Sequence, residues 1–279
     1  MKKIFVAIVL AVVSQSVLGF SILSYNIRYN NPNDGLDAWE NRKEEVYSYV
    51  FSGKYDVIGL QEVQKNQLDF LQSKPNEYSV YGVGREDGKE KGEYCPVFYN
   101  KKKFELISSE TRWLSETPFK PSKGWDADFE RVVTIVKFRE IKSGEFFYFF
   151  NTHWDHVGVK AREESALLIT LWAQELKTEC ANIILVGDLN ATVADKAVRS
   201  LDFMFKDACP SSKHSVSTFN GFEMKAKPNA HIDHVRHSHE GWKASRYKIR
   251  FPKTKAGRQL SDHFPVSATF AFKKQHDND

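Results

Sequence analysis

A chain of 279 residues that is 41% hydrophobic and 14% aromatic carries enough apolar surface to offset the entropy of ordering it, which excludes an intrinsically disordered protein. Lys and Arg number 40 against 36 Asp and Glu, for a net charge of +4, too weak to draw nucleic acid or a membrane surface at long range. Any recognition of anions must therefore be local.

Lys2 and Lys3 precede an unbroken apolar run from Ile4 to Val13, followed by Ser14-Gln15-Ser16 and a stretch ending on the small Gly19. That layout predicts a signal peptide over 1–19, with the folded domain over 20–279 and the protein secreted or periplasmic. The run is too short to span a bilayer, so no integral membrane anchor is expected. Cys95, Cys180 and Cys209 are odd in number and far apart, so at most one disulfide is expected, and Cys95 and Cys180 have the apolar neighbours of core fillers.

Strands are predicted over 21–27, 56–60, 78–83, 96–99, 104–106, 132–138, 146–151, 183–187, 232–235 and 265–272 from runs of β-branched and aromatic residues. Helices are predicted over 39–51, 66–72 and 160–179. In the last, Leu168, Leu171, Trp172 and Leu176 form a stripe with Glu163, Glu164, Glu175 and Lys177 outside it. Strands next to each other in the chain alternate with helix-separated pairs, which argues for mixed sheets covered by helices.

Several predicted strands run straight into polar residues that a core would not choose. The first ends on Asn26, the second on Gln61-Glu62, the seventh on Asn151-Thr152-His153 and the eighth on Asp188-Leu189-Asn190. Asp233 and the sequence Ser261-Asp262-His263 complete the set. In α/β architectures ligands bind beyond strand ends, so these acids, amides and imidazoles are active-site candidates.

With Tyr25-Asn26, Leu60-Gln61-Glu62-Val63, Gly92-Glu93-Tyr94, Thr152-His153, Gly187-Asp188-Leu189-Asn190, Ile232-Asp233 and Ser261-Asp262-His263-Phe264-Pro265-Val266, the chain resembles the endonuclease/exonuclease/phosphatase superfamily from Ser21 to Phe272. The segments Trp113 to Pro118, Lys123 to Asp126 and Thr218 to Phe222 resemble a secreted bacterial branch of metal-dependent hydrolases. The resemblance implies a four-layer α-β-β-α sandwich, two mixed sheets face to face with helices outside. It also implies a monomeric, divalent-metal-dependent phosphoesterase with in-line attack by water on a phosphodiester, either nucleic acid or a phosphodiester head group. A phosphomonoesterase acting on sugar or inositol phosphates is the second reading, and an inactive binding module on the same fold is the third.

Glu62 closes a buried strand on a bare carboxylate, and an unpaired buried charge calls for a cation. Mg²⁺, or Mn²⁺ in its place, suits such hard oxygen ligands, whereas an N-cap for the helix near Asn66 is the competing role. The resemblance makes Glu62 the principal metal ligand, with Asn26 and Asp262 beside the metal. Asp188 and Asn190, two apart at a strand end, fit a carboxylate that takes a proton from water and an amide that holds a phosphoryl oxygen, or equally a tight turn. The family pairs His263 with Asp233, and His153 is expected to hold phosphate from the other side with Glu93 orienting it. Substrate binding is expected from Glu93, Tyr94 and Arg258. Arg258 ends a basic run with Arg246, Lys248, Arg250, Lys253 and Lys255 that reads either as a rim for a polyanion or as a charged edge strand. His237 and His239 would face the same way on a strand, which invites a zinc reading without a third ligand.

Overall fold

The apolar run after Gly19 forms strand β1 (Phe20–Asn26), and it lies parallel to β2 (Val57–Gln61) with helix α1 (Trp39–Val50) between them in the chain. A parallel pair needs such a crossover, because a tight turn can join only antiparallel strands. The arrangement recurs in β7 (Phe146–His153), α3 (Val159–Lys177) and β8 (Ile183–Asp188). The computed structural model describes residues 19–223 and 228–273. All of the predicted signal peptide except Gly19 lies outside them.

Antiparallel neighbours complete two six-stranded sheets. One runs β11-β12-β1-β2-β4-β3 and adds β3 (Tyr78–Tyr81), β4 (Val97–Asn100), β11 (Trp242–Ile249) and β12 (Val266–Phe272). The other runs β5-β6-β7-β8-β10-β9 and adds β5 (Phe104–Trp113), β6 (Val132–Glu140), β9 (Phe205–Asp207) and β10 (Asp233–Ser238). Ile22, Val57 and Phe270 of the first sheet meet Phe138, Phe147, Phe149 and Val186 of the second in a dry, aromatic-rich layer. Outside it, α1 and α2 (Lys65–Gln72) cover the first sheet, while α3 and α4 (Lys196–Ser200) cover the second. This is the expected α-β-β-α sandwich.

The sheets approach closely at Gly59, where a Cβ would stand 2.7 Å from Val186 Cγ2 and 2.8 Å from Asn151 Oδ1. Asn151 crosses this gap, donating to the carbonyls of Leu60 (2.8 Å) and Pro96 (2.9 Å) and accepting from Gln61 Nε2 at 2.7 Å. These bonds hold the carboxyl ends of β2 and β7 level. We expect Gly59→Ala to destabilise the protein by about 1–3 kcal/mol, the usual cost of overpacking a filled core. Urea unfolding with an unchanged slope checks this; wild-type stability would mean that the sheets can move apart freely.

Three strands differ from the sequence reading: β9 and β11 were not predicted, and β5 extends well beyond 104–106. β9 has only three residues, too few to show an alternation. β5 and β11 are sheet edges with one face in solvent, so their runs read as polar, and β11 also breaks its alternation at a bulge between Ser245 and Lys248, where Arg246 has φ +54°. Cys95, Cys180 and Cys209 are all free. Cys180 sits half-buried, with Sγ donating to the Phe146 carbonyl at 3.0 Å.

Candidate active site

Strand register assembles one wall of the site. His153 pairs with Asp188 across β7 and β8, and Asp188 pairs with Asp233 across β8 and β10, so three side chains stand in a row at one end of the second sheet. The first sheet contributes Asn26 and, just past β2, Glu62. His263 comes from the segment before β12, fixed by a bridge to Phe219. Arg28, Glu62 and Asn190 have φ of +60°, +59° and +46°. Left-handed backbone costs about 1–3 kcal/mol per non-glycine residue and gathers where function demands a particular aim.

Asp188 is the hub. Its Oδ2 accepts from Asn26 Nδ2 at 3.0 Å and lies 3.4 Å from His153 Nε2 and 3.5 Å from His263 Nε2, while Oδ1 accepts from the Asn190 N–H at 2.9 Å. The last bond is an Asx turn. The tight turn and the site, alternatives in the sequence, are thus one structure, because the turn swings Asn190 back toward His153. Asn190 Nδ2 donates to the Trp154 carbonyl (2.9 Å) and to His153 Nε2 (3.0 Å). An amide NH₂ only donates, so Nε2 is an acceptor and the His153 proton sits on Nδ1, 4.0 Å from Glu93 Oε2.

The two imidazoles differ in charge. Burial, reinforced by Arg131 and Arg85, holds His153 well below its usual pKa and keeps it neutral. Burial would do the same to His263, but Asp233, whose Oδ2 is 2.9 Å from Nδ1, and then Asp188 override it and raise its pKa well above the usual range. Asp233 is itself fixed by its backbone N–H donating to Thr218 Oγ1 at 3.0 Å.

Glu62, Asp188 and His263 each offer an atom within 4.8 Å of the others. A protonated imidazole has no lone pair at Nε2, so carboxylates are the fitting ligands. Burial pushes Asp188 up to about 7 and, with help from Glu62, Asp262 up to about 6, despite the opposing charge of His263. Such an excess of buried acid suits a hard divalent cation. Asn26, expected beside the metal, instead donates from Nδ2 to Glu62 Oε1 (2.9 Å) and to Asp188, while its oxygen accepts from the Arg28 N–H. In this arrangement it orients the carboxylates and presents no ligating atom to them. Asp262 lies beside Arg28 (3.6 Å) and accepts from Ser261 Oγ at 3.2 Å.

Tyr94 and Arg258 stand apart from this cluster. The Tyr94 ring packs in the core between the first sheet and its helices, and its hydroxyl donates to the Lys89 carbonyl. Arg258 forms a two-pronged ion pair with Asp37, one prong 2.7 Å long. Lys253 and Lys255 line a shallow groove with Glu44, Glu45, Ser48 and Tyr49 on α1. These three members of the basic run thus turn toward the helix layer. In β10 and just after it, His234 is buried and bonded to the Ala191 carbonyl, His237 to the Ser238 carbonyl and His239 to the Asp202 carbonyl, so their nitrogens do not converge on a zinc ion.

Three arginines at the site escaped the sequence reading. Arg28 pairs with Asp34, Arg85 with Glu93 (2.8 Å) and Arg131 with Asp155 (3.2 Å). Only Arg28, two residues after Asn26, carried a local signal.

The family pattern of the endonuclease/exonuclease/phosphatase family matches residues 23–263. An endonuclease/exonuclease/phosphatase family protein from Bacteroides thetaiotaomicron is 32% identical with a TM-score of 0.86, over 94% of this chain and 98% of that one. A mannosyl-6-phosphatase from the same organism is 33% identical with a TM-score of 0.82, over 91% of this chain and all of that one. An uncharacterized protein of Acanthamoeba polyphaga mimivirus is 32% identical over 165 residues, 54% of this chain and only 59% of its own length. By the reach of the family pattern and the shared sandwich, the chain belongs to the endonuclease/exonuclease/phosphatase family.

Proposed function

We propose that the protein is a secreted, Mg²⁺-dependent phosphomonoesterase that removes phosphate from a sugar. Enzymes of the family are phosphoester hydrolases and generally divalent-metal dependent. The observation that carries the choice of a monoester is the distribution of positive charge. The run from Arg246 to Arg258 was a candidate rim for a polyanionic diester, yet Arg258 is bound to Asp37 and Lys253 and Lys255 lie along α1. Around His153 and Glu93 the cations are Arg28, Arg85 and Arg131, each paired with its own carboxylate. That is a compact setting for one small anion, and the 33% identical relative is named as a mannosyl-6-phosphatase. The basic start, apolar run and small-residue exit of the first nineteen residues support export.

Bound Mg²⁺ would neutralise Glu62, Asp188 and Asp262 and polarise the phosphoryl oxygens. Asp188 takes a proton from the attacking water, whose oxygen bonds to phosphorus as the bond to the sugar oxygen breaks. His263, kept cationic by Asp233, gives its Nε2 proton to the departing alkoxide. Neutral His153, held by Asn190, faces the phosphoryl group across Asp188 from His263.

The test is phosphate release from mannose 6-phosphate and inositol phosphates, beside cleavage of plasmid DNA and a chromogenic diester, with Mg²⁺ or with excess chelator. We expect Mg²⁺-dependent release from the sugar phosphate, unchanged in a Lys253→Ala, Lys255→Ala, Arg258→Ala triple variant. Activity that survives the chelator sinks the metal requirement. DNA cleavage without sugar-phosphate turnover, lost in the triple variant, restores the polyanion reading.

A further inference from the structure

The segment Trp125 to Arg131 flanks His153 and presents one large aromatic to solvent. Phe129 is 44% exposed, although its backbone N–H is bound to Asp155 Oδ2 at 3.4 Å and the segment is anchored to the start of α3 through Asp126, which accepts from the N–H groups of Lys160 and Ala161. A phenyl ring on so well-anchored a segment has no evident structural duty on the outside. The Phe129 ring is backed by the guanidinium groups of Arg85 and Arg131, at 5.1 and 5.9 Å from its centre. The exposed His156 ring lies 6.0 Å away and only 15° from parallel. Arg131 ties the strip together, reaching Asp155 through Nε and His156 Nδ1 through its terminal nitrogen at 3.2 Å. The strip adjoins the catalytic groups: Arg85 bridges Phe129 and Glu93, whose Oε2 lies 4.0 Å from His153 Nδ1.

We infer that Phe129 and His156 form a platform beside His153 on which the sugar ring of the substrate rests, with Phe129 as the specificity-determining residue. The inference rests on the sugar-phosphate reading above and names the surface that would select the sugar. The apolar face of a pyranose stacks on an aromatic ring, and its hydroxyls find hydrogen-bond donors at the edge, here His156 and the guanidinium groups beneath. Buried arginines paired with carboxylates keep the ring from folding into the site, so the platform is preorganised.

Losing the ring contact is expected to weaken binding of the sugar by up to about tenfold. Phe129→Ala is therefore expected to raise KM for mannose 6-phosphate about tenfold with kcat within about twofold, and Phe129→Trp to restore KM. Glycerol phosphate, which has no ring, and inhibition by inorganic phosphate should be unaffected by either change. An unaltered KM for mannose 6-phosphate in Phe129→Ala overturns the platform. So does an equal weakening of phosphate inhibition, which would mean that the ring merely supports the arginines. The function is tested separately by wild-type turnover of the hexose phosphate. If turnover is absent, saturation-transfer NMR of mannose 6-phosphate on the Mg²⁺-loaded protein still decides the platform: ring-proton signals lost in Phe129→Ala sustain it, and signals absent from the wild type or unchanged in the variant refute it.

Discussion

Asp188→Asn is expected to lower kcat at least about a hundredfold, the scale on which general bases and charges that act in the transition state contribute. No neighbour can substitute, because Asp188 is the carboxylate aimed by both Asn26 and Asn190 and set against the His263 imidazolium. The fold should survive. Burial raises Asp188 to about 7 without a cation, so between its unfolded pKa near 4 and about 7 the folded state binds the proton more tightly than the unfolded chain does. Stability therefore falls as pH rises through that window. In the metal-free protein, Asp188→Asn removes this loss and should be relatively more stable than the wild type at pH 8 than at pH 5. Mg²⁺ offsets the same buried charge, so the rise in Tm on adding it to the wild type should be larger at pH 8. Melting curves at both pH values, with Mg²⁺ and with chelator, check the sign. A metal-induced shift equal at both values, or near-wild-type turnover by Asp188→Asn, would refute this account of the hub.

The site was legible where an apolar run met a carboxylate or imidazole, since such an ending has few structural uses. Glu62, His153 and Asp188 stood out that way, Asp233 and His263 through the family resemblance, and register then explains why His153, Asp188 and Asp233 converge. What sequence could not reveal is direction. Arg258 is only four positions before Asp262, yet its side chain crosses to Asp37, far away in sequence. Asn26 lies among the acids but turns its nitrogen toward them, because the Arg28 N–H takes its oxygen. Arg85 and Arg131 were unreadable for a related reason: their meaning depends on Glu93 and Asp155, carboxylates that only the folded chain brings near. The edge strands β5 and β11 were obscured by their own exposed faces, which dilute the alternation that marks a strand.

The second large effect should separate the two histidines. His263→Ala is expected to cost at least about a hundredfold in kcat, because the imidazolium that supplies the leaving-group proton is gone. Asp233→Asn leaves the ring in place and should cost less, but its signature is in the pH profile. The carboxylate of Asp233 is the leading influence raising the His263 pKa against burial. Without it the imidazole loses its proton at lower pH, and because the active form is the protonated one, the alkaline limb of kcat should move to lower pH. His153 is already neutral and held as an acceptor by Asn190, so Asn190→Ala should lower activity without displacing that limb. Profiles of kcat against pH for the wild type, Asp233→Asn and Asn190→Ala decide the matter. A limb that stays fixed in Asp233→Asn, or moves equally in both variants, would remove His263 from the role of acid and leave it as a fixed hydrogen-bond donor to the phosphoryl group.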